Sequence, residues 1–241
     1  VNQRRGMRWN AASAFLRPVL SRPNLTVISG AHVSHLLLQG DDRKRVSGVA
    51  YYQVGKAAAN QLSPATAGPL LTADARGEVI MAAGAIGTVQ ILERSGIGDG
   101  GHLRGVGIEP RCDVPGVGAN LQDHLQLRTV WRVEGVKTLN QQANSLLGKA
   151  QMGLEYLFRK SGPLTMSPSQ LGAFARSDPG QSSANVEYHV QPLSLDKFGD
   201  PLHSFPAFTA SVCNVRPSSR GTVHVGGSDA FAAPVIAPNY L

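Results

Sequence analysis

The sequence predicts a mixed α/β, or α+β, fold in two regions, and three observations carry that prediction. Up to about residue 128, short β-branched runs interleave with segments of helical spacing. Beyond it, runs alternating apolar and polar residues follow one another with turn residues between them, the mark of an antiparallel sheet. The composition agrees: 42% hydrophobic residues supply a substantial core, while 27 glycines and 15 prolines in 241 residues imply more turns than a helical bundle needs. The expected domains are therefore 1–128, mixed α/β, and 129–241, mainly antiparallel β with one amphipathic helix.

Each element has a local reason. NAASAFLRPVL spaces Ala12, Phe15, Leu16 and Leu20 as a helix does, with Pro18 disturbing the last turn. LTVIS is a short β-branched strand that Gly30 breaks before a second strand begins. DDRKR is a solvated hairpin tip, VSGVAYYQV the returning strand, and KAAANQLSPATAGP a loop. GEVIMAAGAIGT opens as a buried strand over 79–82 and passes through Ala83, Gly84 and Ala85 into the helix TVQILERSG, capped by Thr88 and ended by Gly96. LQLRTVWRV alternates as a strand. NSLLGKAQMGLEYLFRKSG is the strongest amphipathic helix, with Leu146, Leu147, Ala150, Leu154, Leu157 and Phe158 on one face. Four alternating runs follow: LGAFAR, NVEYHVQPL, FTASVCNV and TVHVGG.

Several function classes lose ground here. No stretch approaches the roughly 18 apolar residues of a membrane span, and VNQRRGMRWN has no apolar core of a secretory signal. The chain starts without Met, so a processed chain or a piece of a longer one is expected. Cys112 and Cys213 stand far apart with no cysteines near them, which fits neither a disulfide framework nor a zinc site. Free thiols, no metal and a reducing, cytoplasmic compartment are expected. The net charge of +7 is concentrated: residues 1–50 hold eight Lys/Arg against Asp41 and Asp42, or +6. Such an end fits an acidic partner or a charged cofactor. The chain has no aromatic interleaving or helix-turn-helix pattern, so nucleic acid is the lesser reading.

Local motifs give no self-sufficient catalytic constellation. GIGDGG spells G-x-G-x-x-G at Gly96, Gly98 and Gly101, but a helix precedes it where a phosphate cradle needs a strand, so it reads as a helix C-terminus. His32 and His35 in HVSH diverge if they lie in a strand, as do the neighbours Asp123 and His124. RPSSRG is a turn with no base beside its serines. The small residues of MAAGAIGT admit either a flat ligand close to the backbone or tight strand–helix packing, and the residues alone favour packing.

AAGAIGTVQILERSGIG, followed by VPGVGANLQDH, resembles the glucose–methanol–choline (GMC) oxidoreductases, FAD-dependent alcohol oxidases and dehydrogenases. Gly84, Ala85, Thr88, Ile91, Leu92, Ser95, Gly96, Ile97 and Gly98 fit the family signature, while Val89 stands where Pro or Ser is usual. RPNLTVISGAHV, GPLTMSPSQLGAF and FTASVCNVRPSSRGTV, ending APVIAPNYL, extend the likeness over nearly the whole chain, with a choline- or alcohol-dehydrogenase-like flavour.

The resemblance implies that 1–128 is part of an FAD-binding domain and 129–241 part of a substrate-binding domain. It implies that the main chain of Val33 contacts the adenine of FAD, with Ala83 and Gly84 lining the same end. Asn120, Asp123 and His124 match an element expected to be a structural loop between domains. The family's Gly-rich βαβ unit and its catalytic His have no counterpart in these residues, so a central portion, inactive by itself, is expected. The rival expectation is an interaction module whose basic first fifty residues engage an acidic partner or nucleic acid. In either case exposed apolar surface is expected to drive homodimerisation.

Overall fold

The computed structural model describes residues 3–40, 45–54, 63, 65–167, 169–197 and 199–240. In chain order the elements begin with the strands β1 (Gln3–Arg4) and β2 (Met7–Arg8). A single π turn, Ala12–Leu16, and a 3-10 turn, Arg17–Val19, come next. Then follow β3 (Ala31–Gln39), β4 (Arg45–Val54), β5 (Ala67–Asp74), α1 (Gly84–Arg94), β6 (Ile97–Gly98), α2 (Gly100–Gly105) and β7 (Cys112–Asp113). The second half holds β8 (Gln126–Arg132), α3 (Leu139–Asn144), α4 (Leu146–Arg159), β9 (Leu171–Ala175), β10 (Val186–Gln191), β11 (Ala207–Asn214), β12 (Thr222–His224) and β13 (Val235–Ala237). Among the described residues no helix is long and apolar enough to cross a membrane.

The chain forms two interleaved compact units. One combines Val1–Thr26 with His124–Pro217, the other Val27–Asp123 with Ser218–Leu241. In the second, β3, β4 and β5 form an antiparallel sheet in that order, with bulges in the β3–β4 ladder at 33–35 and 37–38. β6 pairs parallel with β7, and β12 antiparallel with β13. Leu103, Ile108 and Val225 make its apolar cluster, with Val106 against it.

In the first unit β8, β11, β10 and β9 form one antiparallel sheet in that spatial order. Its burial is inverted. The face carrying Thr209, Ser211, Gln191 and Cys213 is buried, whereas Leu127, Trp131, Tyr188 and Leu171 on the other face are 40–67% exposed. Helix α4 forms where its amphipathic pattern predicts, with Ser145 Oγ accepting the Gly148 amide at 2.8 Å and Lys160 closing it in the left-handed region. Its buried residues are Gly148 and Met152, while the predicted apolar face is outside, with Leu146, Leu147 and Phe158 near 80% exposed.

Other expectations shift with identifiable causes. The helix near residue 15 is reduced to its π and 3-10 turns, as Pro18 offers no amide hydrogen. α1 starts at Gly84, four residues before Thr88, so Thr88 sits inside the helix rather than capping it. Runs 25–29 and 78–82 lie in no sheet, and Val27, Ile28 and Ile80 remain 49%, 50% and 80% exposed. Apolar β-branched composition marks a strand only where a neighbouring strand takes its hydrogen bonds. β5 occupies the end of the run expected to be a loop, and the predicted hairpin tip at 41–44 lies outside the described residues.

Candidate functional site

Ala83 and Gly84 stand at the start of α1, both exposed. Ala83 is the N-cap and makes no side-chain cap, because a methyl group accepts no hydrogen bond. Gly84 has φ +80, and a Cβ there would meet nothing within 4 Å. The helix therefore opens onto space, with small residues at 82–85 and first-turn amides that no side chain covers. Such an end favours a ligand with anionic or flat polar groups.

Val33 lies at the other end of the same helix. It is half-buried on β3, the edge strand of its sheet, beside a bulge. Arg94, from the last turn of α1, donates from Nε to Ser34 O at 2.9 Å and from Nη2 to Val33 O at 3.5 Å. Gly84 and Arg94 are ten residues apart along α1, about 15 Å at 1.5 Å per residue. Ala83 and Gly84 are thus brought together, and Val33 is placed a helix length away from them. A cleft of about 780 Å³ lies nearer the Val33 end, lined by Ser34, His35, Asp74, Arg94 and Arg111 among others, and none of the three expected residues lines it.

The turn after α1 locks helix to strand. Ser95 Oγ donates to Ile91 O at 2.5 Å and accepts the Leu36 amide of β3 at 2.8 Å, and Ser95 is buried. Gly96 has φ +81, and a Cβ there would lie 2.6 Å from Glu109 O and from Arg111 Cγ. The Gly96 carbonyl accepts the amides of Arg111 and Cys112 at 2.7 and 3.1 Å. GIGDGG is thus a helix end with a return strand packed on it, and no phosphate cradle.

These residues carry the comparison that decides the family. A family model described as "GMC oxidoreductase" matches residues 1–126. The chain belongs to the GMC oxidoreductases. It is 36% identical over 242 residues to an alcohol dehydrogenase [acceptor] of Pseudomonas putida, covering 100% of this chain and 41% of that protein. It is 35% identical over 236 residues to an oxygen-dependent choline dehydrogenase of Brucella canis, covering 98% and 40% respectively. The chain thus spans about two fifths of the curated relatives it matches. Among solved structures it resembles pyridoxine 4-oxidase from Mesorbium loti, at TM-score 0.74 and 25% identity over 100% of this chain and 40% of that one. It also shares the fold of Aspergillus oryzae formate oxidase, at TM-score 0.80 and 24% identity over 98% and 43%.

The second GMC element, VPGVGANLQDH, is a turn. Gly118 has φ +80 and its carbonyl accepts the Val223 amide at 2.8 Å, while a Cβ there would lie 2.3 Å from Val223 O. Asn120 is left-handed at φ 61, and Leu121 exchanges backbone hydrogen bonds of 2.9 and 2.8 Å with Gly221. Asp123 accepts a short hydrogen bond from Tyr240 Oη, which raises the phenol above its ordinary pKa. The chain passes from one unit to the other between Asp123 and His124, so these neighbours serve different units.

Sequence reasoning missed two constellations, one within a single loop and one built from distant segments. Ser194 Oγ lies 2.9 Å from His203 Nδ1, and His203 Nε2 lies 3.2 Å from Asp196 Oδ1. These are the residue types of a hydrolytic triad, but Ser194 is wholly buried and its hydroxyl also accepts Asn140 Nδ2 at 2.8 Å. Its bonds to Asn140 and His203 fasten the 194–203 loop to α3. The other is a buried carboxylate, Glu93, with Oε1 2.7 Å from His224 Nδ1. Ser194, Asp196 and His203 lie within ten residues, in no catalytic motif, and only Asn140 comes from 54 residues away, whereas Glu93 and His224 are 131 residues apart.

Proposed function

We propose that this chain is part of an FAD-dependent oxidoreductase acting on CH–OH groups of alcohols, with choline-like alcohols among its substrates. The observation that carries the proposal is the match of residues 1–126 to the GMC family, with alcohol and choline dehydrogenases about 35% identical over nearly the whole chain. The unit of 27–123 and 218–241 belongs to the FAD-binding domain, and the unit of 1–26 and 124–217 to the substrate-binding domain. This keeps the assignment of 1–128 and 129–241 for most residues and exchanges the two terminal segments.

Ala83 and Gly84 fit the cofactor because the open, uncapped start of α1 lets backbone approach it without a side chain between. Val33 fits through its main chain on the edge of β3, and Arg94 holds that edge in place. The helix-length separation suits an extended ligand better than a compact one. FAD, when bound, supplies the acceptor for the hydride leaving the alcohol carbon. The chain's own contribution is to bind and orient: Ser95 and Arg94 fix α1 against β3, so both proposed contact points move as one piece.

None of the seven histidines matches the context of the family's proton-accepting His, and no Gly-rich βαβ unit is present in the 241 residues. The outward apolar residues Val27, Ile28 and Ile80 fit the same reading, as apolar surface that no described element covers. The purified chain mixed with FAD is therefore expected to carry less than stoichiometric flavin absorbance after desalting, and no choline- or alcohol-dependent dye reduction. Turnover by these residues alone would overturn it. The outward faces of α4 and of the sheet also support self-association of the chain, and the compartment is proposed to be cytoplasmic.

A further inference from the structure

We infer that Glu93, His102 and His224 form a binding site for one divalent transition-metal ion of the zinc class. One ligand atom from each lies within 4.8 Å of the other two, and the three side chains come from α1, α2 and β12. The inference is independent of the proposed flavin chemistry.

The backbone of Val225 orients two of the three ligands. Its amide donates to Glu93 Oε2 at 2.8 Å, and its carbonyl accepts from His102 Nε2 at 3.1 Å. A carbonyl only accepts, so His102 carries its proton on Nε2 and presents a lone pair at Nδ1. Metal-binding imidazoles are held in this way, one ring nitrogen on a fixed acceptor and the other on the ion. Glu93 Oε1 and His224 Nδ1, 2.7 Å apart, share a proton. An ion takes that proton's place, with the imidazole hydrogen on Nε2. Ligand atoms about 2.1 Å from a tetrahedral ion stand about 3.4 Å apart, so the pair opens by less than about 1 Å.

Charge gives the second reason. The Glu93 side chain is 0% exposed. A buried carboxylate is costly unless positive charge compensates it. Its partners are an imidazole and an amide, neither of them a permanent cation. Gly98 leaves room for it, because a Cβ there would lie 3.3 Å from Glu93 Cγ. Leu103 and Val225, each next in sequence to a ligand, pack with Ile108 behind the site. The rings of His102 and His224 are half-buried, with centroids 4.5 Å apart. Two nitrogens and one carboxylate oxygen select zinc or cobalt over magnesium or calcium. The other close group, His124, Glu187 and Cys213, lacks such backing because His124 is exposed.

The test is a Co2+ titration of the tag-free, EDTA-treated chain, followed by visible d–d absorption, with Zn2+ as competitor. One saturable equivalent that Zn2+ displaces is expected. His102→Phe and Glu93→Gln should each weaken it about 100-fold, at unchanged far-ultraviolet circular dichroism. Absence of a saturable band in the unaltered chain overturns the inference whatever the variants do. Equal binding by a folded His102→Phe chain also overturns it, because the ion would then sit on other histidines.

Discussion

His35 illustrates how a single side chain couples the fold to pH. Burial first, and the nearby Arg94 cation second, lower its pKa below the ordinary histidine value. The folded protein therefore holds a neutral imidazole where the unfolded chain, with a pKa of about 6.5, takes up a proton. The stabilisation is fully present above about pH 6.5 and is lost as the pH falls through the depressed folded value. Urea midpoints measured from roughly pH 7.5 to pH 5 should fall more steeply for the natural chain than for His35→Gln; identical slopes would refute the assignment. The sequence exposes part of this. Placing His32 and His35 in one strand predicts that they diverge, but the extra residue of the bulge at 33–35 corrects this: they stand opposite Tyr52 and Ala50, two residues apart on one face of β4, and there bond different partners, Ala230 O and Ser34 Oγ. That Arg94, sixty residues on, sits beside Ser34 follows only from the fold. Thr88 shows the converse: a good capping residue is unused because the helix has already begun at Gly84, which takes the left-handed entry at φ +80 that its missing Cβ permits.

At the scale of elements, the junction from α1 to β3 determines where the proposed cofactor contacts stand. Ser95→Ala leaves the buried Leu36 amide without its acceptor, a loss of about 1–3 kcal/mol, measurable by chemical denaturation. Gly96→Ala should cost more than Gly107→Ala. Both glycines have positive φ, +81 and +76, and share the left-handed penalty of about 1 kcal/mol, but only a Cβ at Gly96 runs into backbone. Equal losses would mean that the turn relaxes around the methyl group. This junction was legible in the sequence as a helix stopped by glycine, and its Ser-Gly-Ile-Gly stretch was legible as a family marker. The role of its serine was not, since nothing local says that its hydroxyl meets a strand amide fifty-nine residues away. The strands after 126 were also legible, because alternation survives whichever face is buried. Runs 25–29 and 78–82 had strand composition, yet strand pairing depends on a neighbour and not on composition.

For the whole molecule, a linear reading places one boundary near 128, whereas the two units exchange terminal segments: 1–26 joins the later unit and 218–241 the earlier one. Composition changes along the chain mark a boundary near 128, a few residues past the observed crossing at 123–124, but carry no sign of a segment that returns. The same limit hides which way an amphipathic element faces. α4 was predicted by its apolar stripe, and that stripe of Leu147, Ala150, Leu154 and Phe158 lines an open groove on the protein surface. The sheet of the same unit turns Leu127, Trp131 and Leu171 outward as well. Apolar surface of this extent is rare on a monomer, so the chain should associate with itself as its concentration rises. Light scattering coupled to size exclusion is expected to give a mass above 25.5 kDa. Leu147→Glu with Phe158→Lys should return the mass to the monomer value at unchanged helix content, since both side chains are about 80% exposed. A natural chain that stays monomeric across the concentration range would remove self-association as the role of these faces.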